Sequence, residues 1–166
     1  MLFLRTQWFS RLAVILLLVS FSLGIANPSW AESFDPYVRR YLGVENSVEL
    51  KLNPEGQTRL FSAANLSSGK RFFEANCKNC HVGGSTLPDP TVPLSLAALQ
   101  AATPPRDSIL SLVAFLRQPM TYDGTDYTYS CREVSEGWLS DQEAANLAAF
   151  ILRAAEKAPG WGNTTF

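Results

Sequence analysis

Cys77-Lys78-Asn79-Cys80-His81 is the stretch on which the reading of this 166-residue chain turns. Two thiols three positions apart can each add to a vinyl group on one edge of a porphyrin. The residue directly after the second thiol then lies under the iron, where imidazole is a good axial ligand. C-x-x-C-H is therefore an attachment signature for one covalently bound haem c, with Cys77 and Cys80 as thioethers and His81 as the proximal iron ligand. Two other readings of the cysteine pair fail on composition and context. A zinc site needs about four ligands from Cys, His or carboxylate, and His81 is the only histidine in the chain. A thioredoxin-like C-x-x-C belongs to a strand–helix–strand setting, and none surrounds this one.

The N-terminal sequence agrees with export. Arg5 and Arg11 make a positive start, Leu12-Ala13-Val14-Ile15-Leu16-Leu17-Leu18-Val19 begins an apolar run, and Ser29 and Ala31 are small residues suited to cleavage before Glu32. Residues 1–31 read as a secretory signal peptide. The apolar run, interrupted by Ser20, Ser22 and Gly24, is short for a membrane span. What remains is a leader over 32–46 and one monohaem domain over 47–166. Losing residues 1–31 takes away two arginines and no acid, so the formal charge moves from −1 to −3, with 12 basic against 15 acidic side chains. No basic surplus is left for nucleic acid. An exported protein rarely keeps a free thiol. Haem takes two of the three cysteines, which leaves Cys131 to be explained.

Within the leader, Phe34, Tyr37 and Tyr41 read as packing residues. Val48-Glu49-Leu50-Lys51-Leu52 alternates, Asn53-Pro54-Glu55-Gly56 turns, and Gln57-Thr58-Arg59-Leu60-Phe61 returns, which predicts a β-hairpin. A helix beginning near Ser67 or Ser68 runs into the haem motif, with Gly69 and Phe73 on one face. Ser95 to Ala102 is a short helical stretch stopped by Pro104-Pro105. Asp107 is expected to cap a third helix, whose stripe is Ile109, Leu110, Leu112, Val113 and Leu116. Ser140-Asp141-Gln142-Glu143 is a capping box. It opens a last helix with Ala144, Leu147, Ala148, Ile151 and Ala155 on one face and Pro159-Gly160 as its stop. That helix is expected to cross the Gly69 helix, with Phe150 or Ile151 near Phe73. Residues 125–138, which include Tyr127, Tyr129, Cys131 and Trp138, show no period. The fold class is all-α: about four short helices around one haem, whose apolar faces complete a small core, plus a small N-terminal β-hairpin.

A helix before C-x-x-C-H and a capped C-terminal helix resemble the class I cytochromes c. A narrower likeness rests on Gly69-Lys70-Arg71-Phe72-Phe73, Cys80-His81-Val82-Gly83-Gly84, Ala102-Thr103-Pro104-Pro105-Arg106-Asp107 and Thr121-Tyr122-Asp123-Gly124. Leu52-Asn53-Pro54-Glu55-Gly56 and Gly160-Trp161-Gly162 add to it. These motifs resemble the cytochrome c-550 family of photosystem II. The likeness covers about residues 46–124 and, more loosely, 139–166. It implies the class I cytochrome c fold and a place in the thylakoid lumen, peripheral to the membrane at most, with photosystem II as a candidate partner. The family pattern also has a second histidine after the Tyr-Asp-Gly turn, as the sixth iron ligand. This chain has Tyr127-Thr128-Tyr129-Ser130-Cys131-Arg132 there, and the segment is shorter. The likeness is therefore to a divergent, c-550-like branch, and docking at the usual photosystem II site is expected to be weak or absent.

For the sixth ligand, Cys131 is preferred, because a ferric iron lowers thiol pKa and binds thiolate well. Met120 is the ordinary cytochrome ligand type, although its place between Pro119 and the Tyr122 turn suits a packing role. Tyr127, Tyr129 or an open site are the remaining options. Arg132 either screens a thiolate at Cys131 or is simply solvated. The function that follows is low-potential electron transfer to a redox partner protein, not enzymatic catalysis, since a peroxidase would want distal acid–base groups. An extrinsic structural subunit of photosystem II and a haem sensor with a labile sixth site are the alternatives.

Overall fold

The computed structural model describes residues 34–88 and 91–163. The signal-peptide expectation, residues 1–31, lies outside them. Among the described residues, five α-helices and one two-stranded sheet follow in chain order: α1 Pro36–Arg40, β1 Ser47–Lys51, β2 Thr58–Ser62, α2 Ala63–Asn76, α3 Leu96–Ala101, α4 Ile109–Arg117 and α5 Asp141–Lys157. This is the mostly helical class with a small hairpin that the patterning implied. Among the described residues, no helix is long and apolar enough to cross a membrane.

The architecture is set by the crossing of α2 and α5. At Gly69 an added Cβ would stand 2.0 Å from the Asn146 carbonyl oxygen and 2.9 Å from Phe150 Cβ. Hydrogen is the only substituent that fits, so the two backbones meet directly. α5 contributes the matching small surface, with Ala144, Ala145, Ala148 and Ala149 all buried. Phe73 packs against Phe150 with ring centroids 5.4 Å apart, as the helical spacing predicted. Trp161 closes this cluster, 5.3 Å from Phe73 and edge-on to Phe150 at 5.8 Å. Its indole N–H donates to the Leu94 carbonyl at 2.9 Å, so the polar edge of this half-buried ring has a partner.

Two helix starts differ from expectation. α2 begins at Ala63, a full turn before Ser67. Ser62 at the end of β2 is its N-cap, in a reciprocal capping box with Asn65. The pattern is hidden because the fourth member is Asn in place of the usual Glu or Gln. Ser67 lies inside the helix instead, where its hydroxyl donates to Ala63 O at 2.7 Å and accepts from the Asp35 amide. α4 is capped by Ser108, not Asp107; the Asp107 carboxylate turns to Lys51 Nζ at 2.9 Å. That ion pair, with Leu110 N–H donating to Leu52 O at 2.9 Å, fastens the hairpin to α4. In the hairpin itself Leu50 and Phe61 point into the core, while Leu60 stays 62 % exposed. The register pairs Ser47 with Ser62 and Lys51 with Thr58.

The described part of the leader, residues 34–46, is built into the core. Asp35 caps α1 by accepting from the Tyr37 amide at 2.8 Å. Val38, Leu42 and Val44 are at most 1 % exposed. Lys70 bridges α1 to α2, 2.9 Å from Asp35 and 2.8 Å from Glu74.

Because Gly69 faces backbone, its substitution has no side chain to displace. Gly69→Ala is expected to cost about 3 kcal/mol or more in chemical denaturation, as overpacking against an immovable neighbour does. Gly137, which has nothing within 4 Å of an added Cβ, serves as the control. Gly137→Ala should change stability by about 0.5 kcal/mol or less.

Candidate haem site

α2 delivers the C-x-x-C-H run. The helix ends at Asn76 with Cys77 as its C-cap, whose amide donates to Phe73 O. The chain then coils tightly: the amides of Cys80 and His81 both donate to Cys77 O, at 3.1 and 2.9 Å. A 3₁₀ turn over Val82–Gly84 follows. The segment after Trp161 holds that turn in place, with Gly162 N–H donating to Gly83 O at 2.8 Å and Ser85 Oγ donating to Asn163 O at 2.8 Å.

The His81 ring has a defined tautomer. Its Nδ1 lies 3.0 Å from Thr86 Oγ1, and the Thr86 hydroxyl donates its one proton to Val92 O. Thr86 Oγ1 can then only accept from His81, so Nδ1 carries the hydrogen and Nε2 keeps a free lone pair. Burial lowers the His81 pKa, more than its Ser85 backbone contact raises it. The ring is thus a neutral donor through Nε2, the form a metal ligand requires.

Two adjoining cavities, of about 140 and 370 Å³, form one cleft. Cys80, His81, Leu94, Leu112, Phe115 and Cys131 line both. Met120 lines only the smaller lobe, and Cys77 only the larger. Tyr129 is at the rim and 99 % exposed, while Tyr127 lines neither lobe and is 52 % exposed. The three cysteines are close enough to feel one another. Burial first, then Cys131 and Cys80, push the Cys77 thiol up to about 12. Burial also raises Cys131, with Arg106 opposing it and Cys80 adding to it.

Cys131 belongs to the stretch without a period, and tertiary contacts hold it. Upstream, residues 119–128 form a narrow loop: Met120 bridges Tyr127, Thr121 N–H donates to Asp126 O at 2.8 Å, and Thr128 N–H donates to Pro119 O at 3.1 Å. This loop is pressed onto residues 98–106. Tyr122 hydroxyl donates to Ala98 O at 2.8 Å, and Thr103 N–H donates to Tyr122 O at 2.9 Å. Gly124, at φ +73°, leaves only 2.4 Å between an added Cβ and Thr103 O. Arg106 donates to the carbonyls of Met120 at 3.1 Å and Thr121 at 2.6 Å. Downstream, Arg117 donates to Val134 O and Leu139 O, each at 2.8 Å, and pairs with Asp141 at 2.9 Å.

Arg132 lines the larger lobe together with Cys131 and Trp138. It is exposed and its guanidinium stacks 4.8 Å from the Trp138 ring. The cation that Cys131 feels is Arg106. Thr86 carried no local signal in the sequence, and Arg106 stood only as a member of the run over residues 102–107 behind the family likeness. Pro104-Pro105 read as a helix stop, and nothing near Arg106 marked it as facing a cleft. Thr86 became visible only once its hydroxyl was seen between a ring nitrogen and a carbonyl.

The comparisons with known proteins bear on this cleft. The family described as "Cytochrome c-550 domain" matches residues 42–166. The chain belongs to the cytochrome c-550 family. It is 55 % identical over 153 residues to the "Cytochrome c-550-like protein" of Thermosynechococcus vestitus, covering 92 % of this chain and 87 % of that one. It is 54 % identical over 128 residues to the "Photosystem II extrinsic protein V" of Gloeobacter violaceus, covering 77 % and 69 %. Among solved structures it is similar to the PsbV2 cytochrome from Thermosynechococcus elongatus. There the TM-score is 0.78 and the identity 60 %, over 79 % of this chain and all of that one. The architecture is the class I cytochrome fold. A member of this family takes haem c, and the cleft suits that group. Its walls are mainly aliphatic and aromatic, three thiols and a neutral imidazole lie along it, and the Arg106 guanidinium lines its smaller lobe.

Proposed function

We propose that this protein is a low-potential, monohaem c-type cytochrome that carries electrons in the thylakoid lumen. In this reading haem is attached through Cys77 and Cys80, and His81 and Cys131 are the axial ligands. The observation that carries the reading is that Cys80, His81 and Cys131 line both lobes of one cleft in a chain of the cytochrome c-550 family. Met120 lines one lobe only, and its segment is spent on the bridge to Tyr127.

When bound, haem supplies a one-electron couple whose potential follows its axial ligands, burial and hydrogen bonds. The chain's own residues supply the setting. Thr86 holds the His81 ring with Nε2 free. Leu94, Leu112 and Phe115 exclude water from the cleft. The arginine-held segment presents Cys131. Thiolate donation favours the ferric state, which puts the potential at the low end. Export with cleavage before Glu32 delivers the chain to the lumen, where it is peripheral to the membrane at most.

A second reading is an extrinsic structural subunit of photosystem II. It is favoured by the likeness to the protein named photosystem II extrinsic protein V. The departures over residues 125–138 favour the first.

Replacing both Cys77 and Cys80 with serine should leave haem extractable by acidified organic solvent and the chain mostly unfolded. Covalent haem retained in that variant would end the attachment assignment. For the sixth position, Cys131→Ser should abolish thiolate-type features in the electron paramagnetic resonance spectrum of the ferric protein and raise the potential, while Met120→Leu changes neither. The reverse pattern would make this a histidine–methionine cytochrome. Purified, active photosystem II is expected to carry the protein well below one copy per complex; a stoichiometric amount would favour the second reading.

A further inference from the structure

We propose that Arg106 is the positioning residue for the sixth-ligand side of the cleft. It fastens the loop that leads into Cys131 and so holds that side chain on the cleft. The inference rests on the His81–Cys131 reading above and goes beyond it to a residue with no place in the attachment motif.

Three observations meet at this side chain. First, Arg106 is half-buried and lies flat over the Phe115 ring, 4.0 Å from its centroid. Its own amide is held by the Leu99 carbonyl at 2.8 Å. A guanidinium fixed at both ends of its residue is a rigid element, not a solvated tail. Second, its hydrogen bonds to the Met120 and Thr121 carbonyls grip the loop that runs on to Cys131. Third, the ion pairs of the described residues involve Lys51, Lys70, Arg117 and Arg153 but not Arg106. Its guanidinium is therefore committed to the two carbonyls and the ring face. Among the described residues, Arg106 is also the only Asp, Glu, Lys or Arg lining the smaller lobe, which Cys131 lines too.

The test is competition for the sixth position in the ferric holoprotein, using imidazole as the probe. In the presence of Cys131, Arg106→Gln should tighten imidazole binding about tenfold or more, the worth of a lost charge-assisted contact. Part of the thiolate-type resonance signal should convert to a second species. In a Cys131→Ser background the same Arg106→Gln change should leave imidazole affinity unaltered, because the group it acts through is gone. Equal tightening in both backgrounds would overturn the proposal and assign Arg106 to general packing. No change in either background would also overturn it. If Cys131→Ser alone leaves the ferric spectrum unaltered, the ligand reading itself falls, and this inference with it. Should the glutamine variant fail to accumulate folded, Arg106→Lys carries the test. It keeps the charge but loses the planar fork, so about threefold tightening is expected, again only when Cys131 is present.

Discussion

The contact between Gly69 and the Asn146 carbonyl is the constraint from which the rest of the structure follows. Two helices crossing at backbone distance leave no freedom to slide or rotate against each other. With α2 pinned to α5 at that point, the direction of its last turn is set, and so is the place where Cys77, Cys80 and His81 emerge. The aromatic cluster of Phe73, Phe150 and Trp161 lies along the same seam. It ties the C-terminal segment to the loop after His81. One close crossing thereby positions the attachment motif from both sides.

The opposite wall of the cleft is organised differently. The chain from Pro119 to Ser140 forms no helix and pairs its backbone with arginine side chains instead. Arg106 takes two of its carbonyls and Arg117 two more. Guanidinium suits this work because its planar donors satisfy several carbonyls at once. Cys131 sits between the two grips. One wall is thus a rigid helix terminus and the other a segment laced down by two cations, each belonging to a different part of the chain.

Charge is also placed unequally along the cleft. The His81 side is neutral, with its ring polarised through Thr86 toward the Val92 carbonyl. The Cys131 side has Arg106 on the smaller lobe and Arg132, over the Trp138 ring, on the larger. The sulfur ligand candidate and the half-buried Arg106 thus both line the smaller lobe.

What the sequence by itself determined is local. C-x-x-C-H needs only its own spacing, so Cys77, Cys80 and His81 are legible without a fold. Alternation, capping and helical periodicity likewise revealed the hairpin, α5 and the Gly69–Phe73 face, because each signal lies within a few residues of its consequence. The start of α2 was missed because Asn65 fills a role usually played by Glu or Gln. The cap of α4 was missed because Asp107 and Ser108 are both good caps, and the choice fell to a lysine 56 residues away. Cys131 could be singled out by elimination, but its place on the cleft, the tautomer of His81 and the approach of Arg106 could not. They depend on contacts between segments far apart in the chain, which hydrogen bonds and steric fit select only after the helices have crossed.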